Sequence, residues 1–407
     1  MLTYTANKEC RPNKRPILIV HPGINVFPPS GYGGGERFAY GLAKLLAKNG
    51  FNVMTLDFGV QESITIRDGI RLVRLRRRFY MRNLKGLVSY MNAIFSMCNL
   101  LLYLSKKRSS FENPVLYFHG GLEYAIVRRC IKLFIPGINP AYVFRLQSPR
   151  WMNPNLLKFW EKILAIPTEL FAVTSADLVL FESEAVRSSL RKFWKEPKNS
   201  IVIPNAVDTE FFDREKYKSK MVSSGILYAA MIKPQKDQLT VVRAMAKVIR
   251  ERPDAKLMLV GDAQDQHYYK EVRREVVSLG LSGCVDFVPS TSIENLNRIR
   301  SKFPIHLVYS SYTGFDVAVG ETMAFGVACI FSRIPTLDGI AKDGINCLLV
   351  EPKNDEALAQ AILKLLNNGN LIEVLGKNAR KSAMELLSWD AFSEILVNEF
   401  SQFDRKT

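Results

Sequence analysis

Short apolar runs alternate with amphipathic stretches along the 407-residue chain. RPILIVHPG, at 15–23, is apolar without alternation, the pattern of a strand covered on both faces. From Glu36 to Asn49 the apolar residues keep helical spacing, and Gly50 ends the helix. FNVMTLDFG is the next strand. Further strands are expected at PVLYFHGG (114–121), AYVFRLQ (141–147), ADLVLFES (176–183) and NSIVIPNAV (199–207). The pattern then restarts. SSGILYAAMI (223–232) is a strand, PQKDQLTVVRAMAKVIRERP a helix, and AKLMLVGDA, CVDFVPS, HLVYSS, GVACIFS and NCLLVEP are strands. DEALAQAILKLLNN and SWDAFSEILVNEFSQF close the chain as helices. This predicts an α/β protein of two parallel-sheet domains, with the boundary near 205–222 and DREKYKSKMVSSG as linker. Two such sheets in tandem are expected to face a central cleft, with ligands at the carboxyl ends of the strands.

Charge narrows the partners. The net charge is +17, so the surface attracts polyanions: nucleic acid, anionic lipid or phosphorylated substrate. Residues 71–110 hold ten basic side chains, from Arg71 to Arg108, and no Asp or Glu. Within them LVSYMNAIFSMCNLLLYL is uncharged, and Ser89, Asn92, Ser96 and Asn99 form one narrow polar stripe. A mostly buried helix is the plain reading. The sharper one is a peripheral surface on anionic headgroups; a transmembrane span is the weakest. No nucleic-acid recognition motif is present. The six cysteines form no CxxC pair and no cluster with histidine, which argues against structural zinc or a disulfide framework and for a reducing compartment. The polar start, MLTYTANKECRPNKRPILIV, does not read as a secretory signal.

Candidate chemistry lies just after strands. Gly33, Gly34 and Gly35 open a helix and offer backbone N–H groups to a phosphate, or are only a turn. Asp57 suggests a dinucleotide site, but the glycines follow their strand too late and Glu36 stands where a third glycine belongs. His119, before Gly120 and Gly121, suits a sugar hydroxyl or is a turn histidine. Lys236 suits a diphosphate or is simply solvated. In TGFDVAVGETMA, the N–H groups of Gly314, Phe315, Asp316 and Val317 suit a phosphate. Glu321 lies about two turns further along. A carboxylate among Val319, Met323 and Ala324 needs a partner, and it can accept from both hydroxyls of a ribose.

GGGERFAYGLAKLLAKNGFNV, SIVIPNAVDTEFF, AKLMLVGD, and GFDVAVGETMAFGVACI followed by KDGINCLLVEPKNDEALAQAI together resemble the retaining glycosyltransferases of family 4, over nearly the whole chain. The resemblance implies the GT-B fold. Residues 1–210 would be a Rossmann-like acceptor domain, 211–385 a Rossmann-like nucleotide-sugar domain, and 386–407 a helix returning across the cleft. It implies that Gly34 and Gly35 face the donor diphosphate, His119 the transferred sugar, Lys236 the diphosphate and Glu321 the donor ribose. No metal and no cofactor are implied, since protein cations and helix N-termini hold the leaving diphosphate. Transfer would run with retention by a front-face route. The chain departs from the pattern at Met231, where arginine is usual, at Thr313, where the first glutamate is usual, at Asp316, where a glycine is usual, and at Gly339. Lys233 and Asp316 are the expected replacements. The expected function is a hexosyltransferase taking a nucleotide sugar to a lipid-linked glycan or polysaccharide precursor. It would work in the cytoplasm, on the inner membrane face through residues 71–110. The alternative is a catalytically silent homologue that binds a glycan or partner.

Overall fold

The computed structural model describes residues 15–21, 34–76, 87–111, 113–152, 159–192, 194–217, 220–311 and 314–405. Gly33, Thr313 and the basic residues from Arg77 to Lys85 lie outside them. The chain divides into two compact units. One comprises Met1–Glu182, Val186–Ile203 and Phe392–Thr407; the other comprises Ser183–Ala185 and Pro204–Ala391.

The first unit opens with β1 (Ile17–Val20), α1 (Gly34–Lys48), β2 (Val53–Gly59), β3 (Ser63–Arg67), β4 (Ile70–Arg76) and α2 (Leu87–Lys106). It continues with β5 (Val115–Phe118), α3 (Gly121–Phe134), β6 (Ala141–Leu146), α4 (Phe159–Ser175), β7 (Leu178–Phe181), α5 (Glu184–Arg191) and β8 (Ser200–Val202). The strand order is β3-β4-β2-β1-β5-β6-β7-β8. Every neighbouring pair is parallel except β3 with β4. The central strands are buried at every position, as apolar runs such as ILIV, VLYF and LVLF require, and β6 buries Arg145 with them. The stretch 199–207 yields only three strand residues, because Pro204 has no N–H to offer a ladder.

The antiparallel hairpin was not anticipated. Its turn is Asp68-Gly69, with φ of 52° and 74°. Two successive positive φ values give a type I′ turn, which matches strand twist and favours Asp-Gly. On α2, Met97, Leu100 and Leu104 are buried, and so is Ser96, whereas Cys98 and Leu102 face solvent. The polar stripe is therefore not the exposed face. No described helix is long and apolar enough to cross a membrane.

The second unit contains β9 (Gly225–Ala229), α6 (Gln238–Glu251), β10 (Lys256–Val260), α7 (Gln266–Ser278), β11 (Val285–Val288), α8 (Ile293–Arg300), β12 (Ile305–Val308) and α9 (Val317–Phe325). β13 (Ala328–Ser332), β14 (Leu348–Val350), α10 (Asp355–Leu366) and α11 (Gly369–Leu386) complete it. Its sheet, all parallel, runs β11-β10-β9-β12-β13-β14. The last helix, α12 (Ser393–Arg405), belongs to the first unit, where Asp404 accepts the Arg15 backbone N–H at 3.2 Å.

In the second unit α11 presses directly onto the end of α9. A Cβ on Gly376 would lie 2.7 Å from the Gly326 carbonyl oxygen, closer than real contacts allow. Arg380, one turn on, donates to the Ala324 and Phe212 carbonyls and pairs with Asp213 at 2.8 Å. Gly376→Ala is expected to destabilise the protein by about 1–3 kcal/mol through overpacking, although alanine ordinarily favours a helix interior. Urea denaturation checks this; a raised midpoint would refute the close approach.

Candidate functional site

In the second unit, the loop after β9 carries Lys236 to the carboxyl edge of the sheet. Tyr228 fixes that loop: its hydroxyl donates to the Lys236 carbonyl at 2.6 Å and also reaches the Tyr309 carbonyl, just beyond β12. Asp237 takes a left-handed φ of 47° to start α6. The Lys236 ammonium pairs with Asp316. Asp316 is the N-cap of α9, and its other oxygen accepts the Ala318 N–H at 3.2 Å. Burial alone pushes the Asp316 carboxyl up, but Lys236, the cap N–H and Lys233 outweigh burial and hold it below the usual carboxylate range. Lys233 is pushed down by burial and by Lys236, with Asp316 opposing, so it feels both charges. Met231 contributes its carbonyl, which accepts from Gln238 at 3.0 Å.

The other described residues of the TGFD loop are turned inward. Gly314 and Phe315 are buried, and the Phe315 carbonyl accepts from Asn205 at 3.0 Å. The N-terminal turn of α9, expected to offer free N–H groups to a phosphate, holds the carboxylate of Asp316.

Glu321 is buried on α9, with 4% of its surface exposed. Its partner is Arg300, at the end of α8. Arg300 Nη2 donates to Glu321 Oε2 at 2.7 Å, and Nη1 donates to Asn297 at 3.0 Å. His306 Nε2 donates to the Arg300 carbonyl, 3.0 Å away, and the ring stacks on Phe325. Burial and the Arg300 charge push His306 down to about 3, so it is neutral at pH 7.

In the first unit, His119 follows β5. Its Nε2 is 3.0 Å from the Tyr117 hydroxyl, and its Nδ1 has no hydrogen-bond partner among the described residues. Burial, then Arg145, then His21 lower its pKa well below 6.5, and the Gly35 backbone offsets only part of this. His119 is therefore a neutral imidazole. Gly34 and Gly35 open α1, and Phe38 from the same helix lies edge-on to His119, with ring centroids 6.2 Å apart. Arg145 lies over Phe38, its guanidinium carbon 3.4 Å from the ring centroid. Asp57 is held by Arg74 through two 3.0 Å hydrogen bonds, which engages the carboxylate that suggested a ribose contact.

Residues 209–382 match the family described as glycosyl transferases group 1, and residues 32–211 match glycosyltransferase family 4. The chain belongs to the group 1 glycosyltransferases. An MMP α-(1→4)-mannosyltransferase of Mycolicibacterium hassiacum is 26% identical over 60% of this chain and 58% of its own. An Escherichia coli UDP-Gal:α-D-GlcNAc-diphosphoundecaprenol α-1,3-galactosyltransferase is 21% identical over 75% of this chain and 78% of its own. The chain spans about half the length of several curated relatives that it matches, 44% to 58% of each. The fold is that of sucrose-phosphate synthase from Thermosynechococcus elongatus, with a TM-score of 0.82 at 20% identity over 97% of this chain and all of that one.

Within this group 1 glycosyltransferase, three side chains at these places were not singled out from the sequence. Arg300 lies between the CVDFVPS and HLVYSS strands, in a stretch to which the sequence reading gave no role. Glu123 and Glu169 lie around the His119-Gly120-Gly121 turn. A Cβ on Gly121 would meet the Glu169 backbone at 2.7 Å, and one on Gly120 would collide with the Glu123 carboxyl. Burial pushes Glu169 up to about 7, and pushes Glu123 up as well. The requirement that Glu321 have a partner was the one sequence signal pointing toward Arg300.

Removing one member of a buried ion pair leaves a charge without compensation. Arg300→Met is expected to cost about 3–5 kcal/mol, and Arg300→Met with Glu321→Gln to cost less than the single change. Chemical denaturation of both variants checks this; equal losses would deny the coupling.

Proposed function

We propose that this group 1 glycosyltransferase moves a hexose from a nucleotide sugar to a lipid-linked glycan or polysaccharide precursor, with retention and without a metal. The observation that carries the reading is the Lys236 ammonium, held at the N-terminus of α9 on the carboxyl edge of the second sheet. A cation and a helix terminus together suit a leaving diphosphate. Lys233 supplies the second charge at the place where Met231 lacks one. Glu321, oriented by Arg300, holds the donor ribose. His119, neutral, hydrogen-bonds the transferred sugar, and the leaving phosphate takes the acceptor proton, so no protein nucleophile is required. On this reading residues 1–210 bind the acceptor and 211–385 the donor, and 386–407 form the closing helical segment, of which Phe392–Thr407 belongs to the first unit. The galactosyltransferase named above takes UDP-Gal and a diphosphoundecaprenol acceptor, which supports the donor and acceptor classes proposed.

A thermal-shift screen of nucleotide sugars tests the donor class, because a ligand of the folded state raises apparent stability. One donor is expected to give a specific shift that survives EDTA. Lys236→Ala is expected to weaken that donor by about 10- to 100-fold, the range of a charge-assisted hydrogen bond. No shift with any donor would sink the reading.

The enzyme is further proposed to work in the cytoplasm, on the inner membrane face through residues 71–110. Exposed Arg71, Arg76, Lys106, Lys107 and Arg108 support this. Flotation is expected with liposomes containing phosphatidylglycerol and not with neutral ones. Failure to float with either would remove the membrane from the proposal.

A further inference from the structure

We infer that Asp316 is a built-in competitor for the diphosphate, one that weakens nucleotide binding and hastens release of the nucleoside diphosphate product. The inference rests on the proposed role of Lys236 as a diphosphate contact. Its own grounds are geometric. Asp316 occupies both features that would receive the phosphate: one oxygen takes an N–H at the start of α9, the other takes the Lys236 ammonium. The Lys236 ammonium and that N–H are thus engaged before any ligand arrives.

The pair is also within reach of a ligand. Lys236 and Asp316 keep 19% and 28% of their side-chain surface exposed, unlike Arg300 and Glu321 at 3% and 5%. A phosphate arriving at Lys236 meets a carboxylate beside it. Like charges at such range disfavour binding unless one of them moves. Lys233, which feels both Lys236 and Asp316, gives the displaced carboxylate a second cation to turn toward. The resemblance places glycine at this position, where no side chain competes. The physical consequence is a trade: the donor is held less tightly, and the spent nucleotide leaves sooner.

Asp316→Asn retains an N-cap and removes the charge. Asp316→Ser does the same with a shorter side chain, and serves if the amide perturbs folding. UDP, GDP, ADP and dTDP, with the corresponding monophosphates, are titrated by calorimetry into the full chain, wild type and variants. The preferred diphosphate is expected to bind both Asp316 variants about tenfold more tightly, with a correspondingly slower release in stopped flow. The monophosphate, lacking the β-phosphate, is expected to change little, and Lys236→Ala to weaken the diphosphate. Diphosphate affinity that is unchanged or lower in both Asp316 variants, with Lys236→Ala still weakening it, overturns the competitor role and leaves the donor reading standing. If none of the four diphosphates binds any form of the chain, the donor reading itself fails and this inference falls with it.

Discussion

The second unit is organised around one buried ion pair. Glu321 sits on a helix whose neighbouring positions are apolar, and an isolated carboxylate there would lose several kcal/mol of hydration without return. Arg300 restores it, and in doing so joins the end of α8 to the middle of α9. The pair draws further groups into one arrangement. Asn297 steadies the guanidinium, Phe212 lies under it, and His306 holds the Arg300 carbonyl while stacking on the far end of α9. Arg380 then ties that end of α9 to the segment around Phe212 and Asp213. The helix that presents Asp316 to Lys236 is therefore braced along its length. A buried pair of this kind adds little net stability over apolar packing, but it fixes one register of the two helices.

Much of this architecture was legible in the chain. Unbroken apolar runs such as ILIV and VLYF can only be strands covered on both faces, and they are. The restart after residue 222 marked the second sheet. What escaped did so for physical reasons. The β3–β4 hairpin alternates apolar and polar residues around Asp68-Gly69, but β3 is exposed at every position, so its isoleucines mark no buried face. α4 contains Pro167, a residue that normally argues against a helix interior.

The candidate site was legible in residue type and less so in partnership. Lys236, His119 and Glu321 were singled out because each stands after a strand or in a run that could not ignore it. Their partners come from distant sequence: Asp316 lies 80 positions from Lys236, and Arg300 precedes Glu321 by 21. Spacing within a motif reveals neither. The same holds in the first unit. Glu169 approaches the turn after His119 only because Gly121 lets two backbones touch. Its raised pKa comes from burial, which outweighs Arg150, and not from the local sequence.

The Asp68-Gly69 turn reaches beyond the hairpin it closes. By reversing the chain it makes β3 the terminal strand of an eight-stranded sheet, with Ile64 and Ile66 both exposed. A terminal strand presents an unpaired ladder of backbone donors and acceptors, the template on which a second chain can add. Here that template is short, and it is flanked by Arg67 at its end and Arg71 on the adjoining strand. Two copies meeting edge to edge would bring those guanidinium groups together. The cationic character of this surface thus acts as a guard on the sheet's open border, working against the edge-to-edge pairing that its outermost strand would otherwise invite.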